Sequence, residues 1–181
     1  MTTSHQTLRA LLRGASLVLV LLVANTPIAA SAAPDMNASL QRVLQLTNLE
    51  REKVGLAPLK VSTELNVAAQ TYSQVLASSD CFAHTCGPVP EMADRMGQAG
   101  YQNWTALGEN IAAGYPTPEA VVAGWMASEG HRNNLLSPNY AEIGIGLATG
   151  GGYGTFWTQD FGNRPNAQAG APEEATPAED E

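Results

Sequence analysis

The run from Trp125 to Gly146 constrains the fold most, because it sets a helix end, a polar segment and a strand start side by side. Upstream, Thr117 is placed to cap a helix, and Pro118 takes the first helical position, where a missing N–H costs nothing. Val121, Val122, Trp125 and Glu129 then fall at helical spacing, so an apolar stripe ends in a carboxylate. Gly130 weakens the helix at that point, which is expected to end it and to free His131 to turn toward the cleft that Glu129 faces. A polar turn should follow. Beyond it, Ile143, Ile145 and Leu147 alternate with glycines and Ala148, the period of a strand.

The two ends of the 181-residue chain read differently from its middle. Arg9 and Arg13 precede a short apolar run, Ser16 to Ala24, and Ala30-Ser31-Ala32 offers a small-residue cleavage pattern. Residues 1–32 therefore read as a signal peptide, too short to span a bilayer. No later stretch is long and apolar enough to do so, and no cysteine follows the cleavage site to carry a lipid. The expected location is outside the cell, or the periplasm where the host has an outer membrane. Removing that segment takes the formal charge from 9 − 17 = −8 to 7 − 17 = −10 and leaves His84 and His131 as the only histidines. Residues 166–181 hold five acids and no large apolar side chain, the composition of a solvated tail. Some 130 residues remain between, about right for one core. An acidic chain without a basic cluster argues against nucleic acid and against anionic membrane surfaces.

Within that core region, a helix is expected from Met36 to Val54, with Leu40, Val43, Leu44, Thr47 and Arg51 along one side and Gly55 as a left-handed stop before Pro58. A second helix starts at a Ser62 cap and carries Leu65, Ala68, Ala69, Tyr72, Val75 and Leu76. A third covers Pro90 to Gln98. Trp104 to Gly114 reads as a strand interrupted at Gly108-Glu109-Asn110. Thr149 to Gly152 joins the Ile143 strand to a second one, Tyr153 to Phe161, as a hairpin. The Leu40, Leu65 and Trp125 stripes should converge on it. Helices first and a hairpin last give the α+β class.

Four side chains could carry chemistry: His84, Glu109, Glu129 and His131. Each sits among loop or element-end residues, or, for Glu109, inside an otherwise apolar strand. Two imidazoles with one or two carboxylates suit zinc or another divalent metal with water completing the shell, His84 and His131 being the ligands. They equally suit an acid–base pair, with Glu109 the candidate base. Asn110, Arg132 and Asn133 are near enough in sequence to stabilise charge. Cys81 and Cys86 bracket His84; four intervening residues are an uncommon zinc spacing, and two cysteines so close in an exported chain favour a disulfide. No Gly-x-Ser-x-Gly elbow, phosphate loop or His-Glu-x-x-His pair is present.

Together Asn48-Leu-Glu-Arg51, Gly55-Leu-Ala-Pro-Leu59, His84-Thr85, Gly108-Glu-Asn-Ile111, Trp125 through Gly130-His131-Arg132 and Ile143-Gly-Ile-Gly146 resemble the CAP superfamily, the sperm-coating-protein (SCP) domain. That family includes cysteine-rich secretory proteins, venom allergens and plant pathogenesis-related proteins, and Gly-His-Arg-Asn-Asn-Leu-Leu-Ser-Pro looks like its shorter bacterial branch. The likeness spans residues 36–162. It implies a three-layer α-β-α sandwich with a small, mainly antiparallel sheet. It also implies an open cleft of two histidines and two acids that binds zinc in some members. His84, Glu109 and His131 match three of the four; the fourth position falls on Ser128, with Glu129 one residue later. Family members are linked to sterol and lipid binding, to defence and patchily to hydrolysis. The expectation is a monomer whose cleft takes a small or lipid-like ligand. A metal-dependent hydrolase and a non-catalytic interaction domain are the alternatives.

Overall fold

Why the chain turns where it does is visible at its helix ends. In the computed structural model, which describes residues 36–165, α1 (Met36–Glu52) closes with Gly55 at φ +75°. There the Leu56 N–H reaches Arg51 O (3.0 Å) and the Gly55 N–H reaches Glu52 O (2.9 Å). Those are the two bonds of a glycine-terminated helix, and only a residue without Cβ takes that φ freely. The expected export segment and acidic tail lie outside the described residues. A two-residue strand, β1 (Lys60–Val61), follows. Then α2 (Thr63–Ser79) starts under Ser62, whose Oγ accepts from the Leu65 N–H. After α3 (Met92–Gln98) comes β2 (Ala106–Ala113), then α4 (Pro118–Ala127), capped by Thr117 with Pro118 at its first position. α5 (Glu129–Leu135), β3 (Glu142–Gly150) and β4 (Gly154–Asn163) complete the order.

The sheet runs β1-β3-β4-β2. β3–β4 and β2–β4 are antiparallel, while β1 joins β3 in parallel, so the sheet is mixed, with antiparallel pairing dominant. Helices cover both faces, giving the α-β-α layering. On one face Val43, Val121, Trp125 and Leu135 pack with Ile143, Ile145, Leu147, Trp157 and Phe161. On the other, Leu65, Ala68, Met96 and Tyr101 form one cluster, and Tyr72, Leu76, Ile111 and Phe156 another. The Leu40 and Trp125 stripes do meet the hairpin together; Leu65 meets it from the opposite side. Close approach explains the glycines of β3. A Cβ on Gly144 would strike the backbone of Leu65, and one on Gly146 the backbone of Ala69. α2 thus lies directly on the strand.

Two local expectations fail. β2 is continuous, with Glu109 and Asn110 paired to Asp160 and Gln159. The Gly108 gap is not a break: a Cβ there would strike the Tyr140 hydroxyl, whose proton goes to Leu107 O (3.0 Å). The helix after Thr117 also ends earlier than Gly130, at Ala127, because Ser128 is extended (φ −96°, ψ 125°). A second helix restarts at Glu129 and contains Gly130 and His131 where a polar turn was expected. Seven residues with a glycine and two asparagines make a weak helix in isolation; tertiary bonds hold this one. Its Leu135 is fully buried, and Leu135 O accepts from Arg51 Nη1 (2.9 Å).

Candidate functional site

β2 is an edge strand, and its alternation sends neighbouring side chains to opposite faces. Glu109 points to the α2–α3 side, where its side chain is nearly sealed from solvent (1% exposed). Its Oε1 accepts from His84 Nδ1–H at 2.8 Å, and its Oε2 accepts from Arg95 Nη2. Arg95, itself buried, also donates from Nη1 to His84 O (3.1 Å) and Pro90 O (2.9 Å). Its guanidinium lies 3.5 Å from the centre of the Tyr72 ring, and the Tyr72 hydroxyl donates to Ala83 O (2.7 Å). The loop bearing His84 is therefore tied down at three carbonyls. Cys81 and Cys86 form the expected disulfide across it, with Cα atoms 6.0 Å apart.

Asn110 points the other way, to the α1–α5 side, and is wholly buried. Its Nδ2 donates to His131 O (3.1 Å) and Gln159 Oε1 (3.2 Å), while its Oδ1 accepts from Asn134 Nδ2 (2.9 Å). Asn134 donates as well to Glu109 O (3.1 Å). The network continues from Gln159 Nε2 to Thr47 Oγ1 (2.9 Å). Asn110 thus holds α5, and with it His131, against the strand; its amide is spent internally. Arg132 bonds Met126 O (2.8 Å) and Asn133 is exposed. Ser128 is half-buried at the α4–α5 junction, and Glu129 is exposed on the first turn of α5. The structure brings His84 and Glu109 together, with His131 close by.

The two imidazoles are pushed in opposite directions. The Glu109 hydrogen bond raises His84 above the ordinary histidine value, although its side chain is 59% exposed. Burial lowers His131, and the charge of His84 lowers it further, so the two rings sense one another. Three participants lie outside the candidates the sequence offered for the site: Arg95, Tyr72 (expected only as a packing residue of α2) and Asp160. Asp160 stands opposite Glu109 in the β2–β4 register and is 1% exposed. A lone acid inside Trp-Thr-Gln-Asp-Phe, and a lone base between Met92 and Met96, were the available signals.

For a metal, the donor set is limited. His84 keeps Nε2 free of Glu109, whose carboxylate fixes the ring as partners of ligand histidines commonly do. Among the described residues no group of three or more His, Cys, Asp and Glu side chains is placed to hold an ion. A divalent ion would fit here only on two imidazoles with water or ligand completing its shell.

Against known proteins, the pattern of the cysteine-rich secretory protein family (CAP) matches residues 44–161. The uncharacterized protein YkwD of Bacillus subtilis is 42% identical over 131 residues, 72% of this chain and 49% of that protein. Among solved structures, an extracellular protein containing an SCP domain from Bacillus anthracis superposes with a TM-score of 0.66 at 29% identity, over 71% of this chain and 41% of that one. An outer surface protein of Borrelia burgdorferi gives the same TM-score at 20% identity, over 72% of this chain and 96% of that one, a likeness of fold alone. The chain spans less than half the length of either Bacillus protein. No described helix is long and apolar enough to cross a membrane.

Proposed function

The chain belongs to the cysteine-rich secretory protein (CAP) family, and on that premise we propose that its cleft captures a small or lipid-like ligand through the polar head, outside the cell. One observation carries this: the buried Glu109–Arg95 pair is spent on orienting a histidine whose ring is largely exposed. Burying a carboxylate is costly, and packing alone does not call for it. With His84 raised and His131 lowered, there is a pH range in which one ring is a cationic donor and the other a neutral acceptor. That pair suits a head group offering both an acceptor and a donor. Extracellular placement is supported by the basic and apolar start of the chain and by the disulfide.

A metal-dependent hydrolase is the second reading, favoured by the same carboxylate–imidazole pair. Zinc or another divalent ion on His84 and His131 would supply polarisation of a bound water or ligand oxygen. Glu109 has both oxygens engaged, so its part is orienting His84, and the lone pair of His131 would be taken by the ion. To separate the readings, purified zinc-supplemented protein and a Glu109→Gln variant are incubated with a lipid extract and a peptide library, then analysed by mass spectrometry. Capture predicts retained ligand, intact peptides and weakened retention in E109Q. Peptide cleavage that disappears in folded E109Q would establish the hydrolase instead. Neither ligand nor product would leave a non-catalytic interaction domain.

A further inference from the structure

Behind the His84 ring lie two carboxyls and one cation. Glu109 and Asp160 are directly opposite on β2 and β4, on the same face of the sheet, which brings their Cβ atoms to about 5 Å of each other. Both are buried. Two carboxylates cannot hydrogen-bond each other, since each only accepts; a bond between them needs a proton on one. Glu109 already accepts from His84 and from Arg95. Asp160 has no such support. Its β3 neighbour is Gly144, which has no side chain. On α2, Ser73 is spent on Thr158 (2.9 Å) and the Tyr72 hydroxyl on Ala83 O. Asp160 Oδ1 has no partner; on Arg95, Nη1 and Nη2 bond loop carbonyls and Glu109, while Nε is likewise buried without a hydrogen bond, so the guanidinium makes none to Asp160.

We propose that Asp160 carries a proton at neutral pH, donates it in a hydrogen bond to Glu109, and is thereby the positioning residue that holds Glu109 toward His84. One positive guanidinium then faces one negative carboxylate, and the buried cluster is neutral until His84 itself takes a proton. Burial of Asp160, and next the charge of Glu109, push its carboxyl well above the usual range, in line with this. The groups that face it are Glu109 from β2, Arg95 from α3, Tyr72 from α2 and, through Glu109, His84 from the loop. The inference deepens the ligand-capture reading and rests on it only for the importance of His84.

The test follows the His84 ring by NMR titration without ligand. Asp160→Asn is also uncharged and also donates, so the His84 midpoint should stay where it is in the wild type. An ionised Asp160 would make the same variant lose a negative charge, and the midpoint would fall; that fall overturns the proposal. Asp160→Leu removes the donor, and the midpoint should drop toward ~6.5 while circular dichroism reports an intact fold. A raised midpoint retained in folded D160L also overturns it. Melting curves cover the case in which D160L does not fold. A folded-state value raised above ~3.9 contributes stability below that pH and loses it as pH rises through the folded value. Asparagine has no such term. The Tm of D160N relative to wild type should therefore climb between about pH 4 and about pH 7. A pH-independent difference refutes a buried neutral Asp160. Because neither measurement contains a ligand, a cleft that captures nothing leaves both results interpretable.

Discussion

His84 and His131 are chemically identical in sequence and different in place. One is an exposed ring fastened by a buried carboxylate; the other is half-buried and loses its charge easily. A proton competes with a metal ion for imidazole, and free histidine titrates near ~6.5. Because Glu109 raises His84, that competition should begin at a pH above the free-histidine value. Zinc affinity, followed by calorimetry, is expected to fall as pH drops through the His84 midpoint, while His131 remains neutral further down. In Glu109→Gln the fall should move to lower pH. An identical pH profile in both proteins would remove the His84–Glu109 bond from any metal site.

Among the elements, the disulfide loop and α5 are the two that no local propensity would hold. The loop depends on Arg95, Tyr72 and the Cys81–Cys86 bond; Gly152 N–H adds a tie to Asp80 Oδ1 (2.7 Å) where α2 ends at φ +50°. Closing so short a loop contributes roughly 2 kcal/mol in the chain-entropy model. Replacing both cysteines by serine should cost about that much in denaturant unfolding. It should also let the His84 midpoint relax toward the ordinary value, because a freer loop holds the ring less firmly on Glu109. Loss of stability with no change at His84 would show that Arg95 and Tyr72 place the histidine unaided.

Across the whole molecule, the sheet separates two cores. Leu65 is fully buried on the α2 face and Leu135 on the opposite one. Truncating either to alanine should cost about 2–5 kcal/mol. Distant sites without shared partners add within about 0.5 kcal/mol, so the double variant should lose the sum. A strong departure from additivity would mean that the thin, glycine-bearing β3 transmits strain between the layers. Arg51 binds the α1 layer to the rest from inside. Its guanidinium donates to Ala57 O, Leu135 O, Ser137 O and Tyr140 O, at 2.9 to 3.3 Å.

Periodicity and end signals determined α1, α2 and α4, the hairpin and the α+β class, because caps, prolines and apolar spacing act within a few residues of themselves. The same local logic put His84, Glu109 and His131 forward, as isolated polar groups in apolar or loop surroundings. Only the tertiary structure decided that Gly108 lies inside a strand, since the reason is Tyr140 from a distant segment. It alone restarted a helix at Glu129, leaving that acid exposed, because bonds from Arg51, Asn110 and Asn134 outweigh the low propensity of Gly-His-Arg-Asn-Asn. And it alone set Asp160 against Glu109, through a strand register fixed by the burial of whole faces and not by any residue near either acid.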